Sequence, residues 1–168
     1  EDAAQSLGGR DQGLLCGSHS DVCVYSTFSD KALPTGEGAI VTTNDDDLAD
    51  SIALIRNQGR PNSGTFTHEA LGMNFRITEF QAAVGLHLLN YYSDEIGRRR
   101  ETYAAYRKIV KDSEGLATMD VFDIDELIPF RFPVEVRDIA IAQKLLGDAN
   151  YQTRGFFRPM HMQPPIVQ

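Results

Sequence analysis

A lysine, an aspartate and a serine near the start of the chain have side chains suited to Schiff-base chemistry. Lys31 lies just beyond a predicted strand, because Asp21–Phe28 is rich in β-branched and aromatic residues. Ser26 lies on that strand, and Asp2 precedes it. Such chemistry needs an amine beside an aldehyde, an acid against a pyridine nitrogen and a donor for a phosphate. Each residue also has an ordinary interpretation, as a surface charge, a cap or a hydrogen-bonded filler.

Strands and helices must position these side chains. Gly36–Thr43 predicts a second strand after Lys31, and Asn44–Asp47 can cap and charge the start of a helix. Apolar residues keep to one face of that helix, at Leu48, Ile52 and Ile55. The segment 60–72 is rich in glycine, proline, asparagine and serine, which is typical of a binding or subunit-contact loop.

The second half of the chain predicts a long helix followed by a smaller unit. Thr78 and Gln81 mark the capped start of an alanine- and leucine-rich helix, and Ser93–Lys111 forms another, long enough to bridge two domains. Beyond Gly115 we predict a strand over 128–136, a helix over 138–146 and a strand over 151–157. The expected fold class is α/β, with a domain boundary near residue 112.

Composition and charge exclude several classes of protein. The chain has 168 residues, of which 42% are hydrophobic and 24% charged, and a formal net charge of -8. Acids are scattered along it without a basic stripe, so we predict no nucleic-acid partner. No apolar run approaches the ~20 residues that cross a bilayer, and the first residues lack a basic, apolar leader. We predict no membrane partner and a cytoplasmic location.

The cysteines and histidines do not form a recognisable metal motif. Cys16 and Cys23 lack the close paired spacing of a zinc site and are too few for a disulfide framework. The four histidines stand far apart, without i, i+4 pairing: they are His19, His68, His87 and His161. We therefore predict no metal.

Four motifs in fixed order carry a resemblance to a known family. They are Glu1-Asp-Ala-Ala-Gln5, Tyr25-Ser-Thr-Phe-Ser-Asp-Lys31, Thr35-Gly-Glu-Gly-Ala39 and Leu71-Gly-Met-Asn-Phe-Arg-Ile-Thr-Glu-Phe-Gln-Ala-Ala83. In order and spacing they resemble the sugar aminotransferase family called DegT/DnrJ/EryC1/StrS. The resemblance continues more loosely through Arg98-Arg-Arg-Glu101 and Phe157–Pro164, and so covers essentially the whole chain.

The resemblance implies a fold-type I pyridoxal-phosphate enzyme that acts as a homodimer. Residues 1–112 would form the C-terminal half of the large cofactor-binding domain with its bridging helix, and residues 113–168 part of a small C-terminal domain. The chain begins without methionine and ends without an obvious closing element. We therefore expect it to be a piece of a larger enzyme.

The same resemblance assigns site residues. Lys31 would carry the cofactor on its amine and later move protons as the catalytic acid and base. Asp2 would pair with the pyridine nitrogen, and Ser26 would bind the phosphate. Gln5 would lie near the ring and its phenolic oxygen. Asn74 would reach the phosphate of the neighbouring subunit's cofactor, so that active sites are shared across the dimer.

The implied reaction moves an amino group from an amino acid, L-glutamate being favoured, to a keto group of a nucleotide-diphosphate sugar. The pathway, whether polysaccharide or secondary-metabolite biosynthesis, stays open. Lys31 argues against the branch of the family that uses histidine there to remove oxygen. The alternatives are a non-catalytic regulatory protein of the same fold that binds the cofactor, or an inactive fragment. No Gly-x-Gly-x-x-Gly follows a strand, which disfavours a dinucleotide-binding module.

One position departs from the family pattern. Asp30 precedes the lysine where the family commonly has a small hydroxyl residue. A carboxylate directed at Lys31 would favour the charged amine, so we expect Asp30 to point away. We also expect Gly36 and Glu37 to shape the turn beside Lys31 rather than to act in catalysis.

Overall fold

A computed structural model describes residues 1–62, 64–119 and 126–166. The described strands are β1 (Arg10–Asp11), β2 (Leu14–Leu15), β3 (Val22–Ser26) and β4 (Ala39–Thr43), and the helices are α1 (Asp46–Arg56), α2 (Glu79–Leu89), α3 (Tyr92–Lys111) and α4 (Ile139–Asp148). The chain divides into two compact units, Glu1–Tyr106 with Asp120–Phe132, and Arg107–Met119 with Pro133–Gln168. The division falls within α3. The mixture of helices and strands agrees with the predicted α/β class.

The first unit is organised around β3. This strand pairs antiparallel with β4, in a register that sets Val22 opposite Thr43 and Ser26 opposite Ala39. On its other edge β3 meets the first residues of the chain, where the Ala3 N–H donates to the Val24 carbonyl at 3.0 Å. The start of the chain is thereby held against the middle of β3.

Short polar side chains begin three of the helices, as local sequence predicts. Asp45 caps α1 by accepting from the Leu48 N–H at 3.0 Å. Thr78 and Gln81 form a reciprocal capping box at the start of α2. Asp138 caps α4. Each cap satisfies backbone N–H groups that have no partner within the helix. The caps of α1 and α2 were predicted from the sequence, whereas for α4 only the helix was predicted.

Helix α3 buries one face at a spacing of seven residues. Ile96, Tyr103 and Val110 are buried on it, and the ring of Tyr103 meets Phe132 edge-on, 4.8 Å between centroids. At its first residue, the Tyr92 hydroxyl donates to the Leu7 carbonyl. Burial raises the pKa of Tyr92 to about 12, although the guanidinium groups of Arg99 and Arg100 act to lower it.

Both strands predicted near the C-terminus are wrong within the described residues. The segment 128–136 contains Pro129 and Pro133, which have no N–H to donate to a ladder, and it forms only an isolated bridge between Glu135 and Ala117. Residues 151–157 are exposed and pair with no other described segment. A strand pattern without a neighbouring strand is not enough to form a sheet.

The described residues also contain neither a membrane-spanning helix nor a metal cluster. None of their helices has both the length and the apolar character needed to cross a bilayer. The longest, α3, has 20 residues and carries Arg98, Arg99 and Arg100 near its middle. Nowhere in the same residues do three or more histidine, cysteine, aspartate or glutamate side chains gather as metal ligands would.

Candidate active site

A small pocket in the first unit brings together Gln5, Ser26 and Lys31. Its walls come from the first residues of the chain, from the end of β3 with the turn that follows it, and from Ile128, Pro129 and Phe130. The side chain of one residue of α3, Arg99, completes it. Segments separated in sequence therefore bring a lysine, a serine and a glutamine to the lining of one pocket.

Lys31 lies in a hydrogen-bonded turn and points at an aromatic ring. Its backbone N–H donates to the Phe28 carbonyl at 3.0 Å, which closes the turn just after β3. Its side chain is half-buried, and Nζ lies 4.4 Å from the centroid of the Phe130 ring. A cation at this distance is attracted by the ring quadrupole. The ring thus holds the amine inside the pocket.

Hydrogen bonds fix the rest of the turn that carries Lys31, residues 27–38, which we call the Lys31 turn. Thr35 and the buried Thr27 join their hydroxyls at 2.8 Å, and the Thr27 N–H donates to the Gly38 carbonyl at 3.0 Å. Gly38 has φ +129°, and a Cβ there would lie 2.8 Å from Ile77. Gln81 donates to the Glu37 carbonyl at 2.7 Å. Glu37 contributes through its backbone, as expected of a residue that shapes the turn.

Ser26 and Gln5 have side chains available to a ligand in the pocket. The Ser26 Oγ accepts the Phe28 N–H at 3.2 Å. A serine hydroxyl that accepts one hydrogen bond keeps its own O–H as a donor. Gln5 is exposed beside it and offers both an amide donor and an amide acceptor. Both chemistries suit a polar, oxygen-rich ligand.

Asp2 and Asn74, the other two predicted site residues, do not line this pocket. Asp2 lies alongside β3 with an exposed side chain, and its Oδ1 accepts the Ala4 N–H at 3.0 Å. Asn74 pairs through its backbone with Asn57, and its Oδ1 accepts from Arg76 Nε at 3.0 Å. Their assigned roles stay predictions.

The pocket includes residues that sequence reasoning did not select. Arg99 bonds to Glu95 at 2.7 Å and to the Pro129 carbonyl at 3.3 Å, which ties α3 to the segment that carries Phe130. The resemblance had included the arginine run of α3 without giving it a role. No sequence signal marks Phe130, an apolar residue in a segment predicted to be a strand.

Asp30 pairs with Arg131 instead of Lys31. Its Oδ2 accepts from Arg131 Nη2 at 3.0 Å, and the Arg131 guanidinium lies 4.7 Å from the centroid of the same Phe130 ring. The acid that departs from the family pattern is therefore neutralised by an arginine from far along the chain. This outcome agrees with the expectation that it points away from the lysine.

Comparison with known proteins places this geometry in a family. The sequence profile of the DegT/DnrJ/EryC1/StrS aminotransferase family matches residues 1–168. GDP-perosamine synthase of Caulobacter vibrioides is 32% identical to this chain, over 99% of the chain and 47% of the synthase.

Solved structures give the same result. DesV of S. venezuelae, solved in complex with a ketimine intermediate, is 28% identical with a TM-score of 0.89, over 98% of this chain and 44% of DesV. The sugar aminotransferase CalS13 of Micromonospora echinospora is 34% identical with a TM-score of 0.78, over 89% and 42% of the two chains. The chain thus spans about half the length of the relatives it matches. It belongs to the DegT/DnrJ/EryC1/StrS aminotransferase family.

Proposed function

We propose that the protein carrying this chain is a pyridoxal-phosphate aminotransferase. It transfers an amino group from an amino acid, L-glutamate, to a keto group of a nucleotide-diphosphate sugar. The observation that supports this function is the pocket that joins Lys31, Ser26 and Gln5. Family membership supports the reaction class, and the name of GDP-perosamine synthase supports a nucleotide-linked sugar as the acceptor.

The donor set of the pocket fits pyridoxal phosphate. The Lys31 amine meets the requirement for a covalent anchor, and Ser26 offers an O–H to a phosphate oxygen, while Gln5 can bond to a ring oxygen. Asp2 lies three residues before Gln5, beside β3. We assign it to the pyridine nitrogen, because a carboxylate there holds the nitrogen protonated. When bound, the cofactor supplies an electron sink for carbanion chemistry.

Lys31 serves both halves of the reaction as the group that moves protons. With the cofactor bound, the free amine of Lys31 would take a proton from the donor's α-carbon and pass it to the cofactor in the first half. In the second half it would run the same transfer in reverse and deliver a proton to the acceptor carbon of the sugar. The contact with Phe130 would hold the amine in the pocket once it carries the proton, because the ring attracts the charged form. Ser26 and Gln5 keep the reacting atoms oriented and stationary.

We further propose a homodimer in which Asn74 binds the phosphate of the partner subunit's cofactor. Asn74 lies within residues 64–91, which we call the apolar segment because many of its large apolar side chains are exposed. Phe66 is 90% exposed, Leu71 98% and Phe80 86%. Exposed apolar patches of this kind mark interaction sites. An interface here would bring Asn74 against a second copy of the chain.

Chemical trapping on the full enzyme tests the assignment of Lys31. The enzyme is incubated with pyridoxal phosphate, reduced with borohydride and digested, and the peptides are analysed by mass spectrometry. We expect the cofactor's mass on Lys31 and its absence after Lys31→Ala. Lys144→Ala, a change at an exposed ion pair on α4, is the control and should label as wild type.

Amino transfer is then followed with L-glutamate and a keto-sugar nucleotide. Loss of transfer in Lys31→Ala, with transfer kept in Lys144→Ala, supports the aminotransferase. Labelling of Lys31 without transfer from any amino acid would favour the regulatory alternative. Labelling at another lysine would refute the site.

A further inference from the structure

Arg131 stands close to Lys31 because both cations contact one ring. Lys31 Nζ lies 4.4 Å and Arg131 Cζ 4.7 Å from the Phe130 centroid. The two charged groups can therefore be no farther apart than these two distances combined. Arg131 does not line the Lys31 pocket itself but a neighbouring one, which shares Arg99, Pro129 and Phe130 with it. Its guanidinium therefore stands beside the pocket in which the proposed function places nitrogen transfer.

The present partner of Arg131 is a carboxylate that is easily exchanged. Asp30 and Arg131 are joined by one bond, from Nη2 to Oδ2, rather than by the two parallel bonds that a guanidinium can offer to a carboxylate. The side chains are 41% and 57% exposed, respectively. Exposed ion pairs of this kind contribute little free energy. Arg131 therefore has further donors for an incoming carboxylate, and little is lost when Asp30 gives way.

We propose that Arg131 determines specificity for a dicarboxylic amino donor by binding the donor's side-chain carboxylate, with Asp30 occupying the guanidinium when no donor is bound. This inference rests on the proposed function and deepens it. The donor's carboxylate takes the place of the Asp30 carboxylate on the guanidinium, and Asp30, whose side chain is 41% exposed, is released to solvent, where an unpaired carboxylate costs little.

The distances suit an amino diacid of five carbons. Four bonds of about 1.5 Å separate the amine of glutamate from its side-chain carboxyl carbon, which gives an extended span of about 5 Å. A charge-assisted hydrogen bond adds about 2.8 Å. With its amine at Lys31, glutamate reaches the guanidinium of Arg131, whereas alanine has no side-chain carboxylate to offer.

Calorimetric titration of the holoenzyme with glutarate, an unreactive five-carbon dicarboxylate, tests the proposal without requiring turnover. We expect Arg131→Gln to weaken glutarate binding at least about tenfold, the loss of a hydrogen bond between charged groups. Asp30→Asn should tighten it by up to about fivefold, since an exposed competitor is removed. Lys144→Gln removes one cation from an exposed pair elsewhere and should bind as wild type.

Butyrate, which lacks the second carboxylate, separates recognition from a general loss of charge. The proposal is overturned if Arg131→Gln weakens the binding of butyrate and of glutarate equally, or if it leaves glutarate binding unchanged. Arg131→Lys checks for misfolding, because it keeps the charge and should bind glutarate with intermediate affinity.

Kinetics with two donors distinguish this inference from the proposed function itself. Arg131→Gln should raise KM for glutamate and leave KM for alanine unchanged. Transfer from glutamate that is indifferent to Arg131 would overturn the inference and leave the aminotransferase intact. If the wild-type enzyme transferred no amino group from any donor, the proposed function would be overturned. The glutarate titration would still show whether Arg131 binds a dicarboxylate.

Discussion

The Lys31 turn and the apolar segment differ in what their side chains contact. In the turn, Thr27, Thr35 and Gly38 bond to one another, and the lysine rests on Phe130. In the segment, backbone bonds are equally firm, with the Met73 N–H donating to Ile55 at 2.9 Å and the Phe75 N–H to Arg56 at 3.0 Å. Its large apolar side chains nevertheless face outward.

Exposure of side chains and looseness of the backbone are therefore separate properties. The Lys31 turn needs no partner for the contacts described above, because residues of this chain supply all of them. The segment has an ordered backbone and an apolar face that this chain, about half the length of its relatives, leaves uncovered. This is the arrangement expected of a surface that packs against another one. Four substitutions test the distinction, in order of decreasing effect on the free energy of unfolding of the full enzyme.

Gly59→Ala tests whether the backbone of the apolar segment is as firmly held as that of the turn. Gly59 has φ +73°, and a Cβ there would lie 1.7 Å from the Ala70 carbonyl oxygen. We expect a loss of about 3 kcal/mol or more, from the clash and the left-handed backbone together. Chemical denaturation measures it.

Gly97→Ala is the matched control for this substitution. Apart from its chain neighbours and the backbone of its own helix, α3, no described heavy atom lies within 4 Å of a Cβ added at Gly97. Helix propensity predicts a gain of up to about 1 kcal/mol there. Equal effects at the two glycines would show that the backbone at Gly59 yields readily, and the comparison would fail.

Thr35→Val tests the claim that the Lys31 turn is complete in itself. The change removes the partner of the Thr27 hydroxyl, which is only 4% exposed. An unsatisfied buried hydroxyl costs about 1–3 kcal/mol, and we expect slower amino transfer because Lys31 is less well held. Thr67→Val, at an exposed position of the apolar segment, should change neither the free energy of unfolding nor the rate of amino transfer.

Tyr92→Phe tests, through the pH dependence of stability, whether the residue that directly follows the apolar segment is buried. Burial holds the pKa of Tyr92 at about 12 in the folded protein, above the ordinary value of 10.0. The unfolded chain therefore loses this proton first, so stability is full below pH 10.0 and falls as pH rises toward about 12. With phenylalanine at this position, this part of the fall in the free energy of unfolding with pH should disappear when denaturation curves are recorded across the range. An unchanged slope would contradict the assigned burial.

Phe80→Ser should have the smallest effect on unfolding of the subunit, within about 0.5 kcal/mol, because the side chain is 86% exposed. Its effect should appear in association instead. Sedimentation velocity should show a dimer in the wild-type enzyme and dissociation in the variant. The matched change at the similarly exposed Phe157, outside the segment, should leave the dimer intact. A Phe80→Ser enzyme that stays dimeric would place the interface elsewhere.

Local chemistry made part of the fold predictable. The caps at Asp45, Thr78 and Asp138 depend on residues three positions away, so the starts of α1, α2 and α4 follow from the sequence. The strand expected over 128–136 depended on a distant partner and failed, since Pro129 and Pro133 cannot join a ladder.

The candidate site also contains some residues that the sequence could indicate and others that only the tertiary structure reveals. Ser26 and Lys31 could be selected because suitable residue types lie close together in the sequence, and Gln5 through the family resemblance. The structure joins the three in one pocket. The contacts of Phe130 with Lys31 and of Arg131 with Asp30 join residues far apart in the chain. No sequence pattern marks them, because only tertiary packing creates them.

The capping box of α2 has a consequence for how fast subunits would meet. Thr78 and Gln81 fix the first turn of this helix from within the chain, and the segment before it is already ordered by backbone bonds. Little conformational entropy remains to be lost on contact. Association should therefore proceed as rigid docking, with rate constants of about 10⁵–10⁷ M⁻¹s⁻¹, without the delay of a folding step.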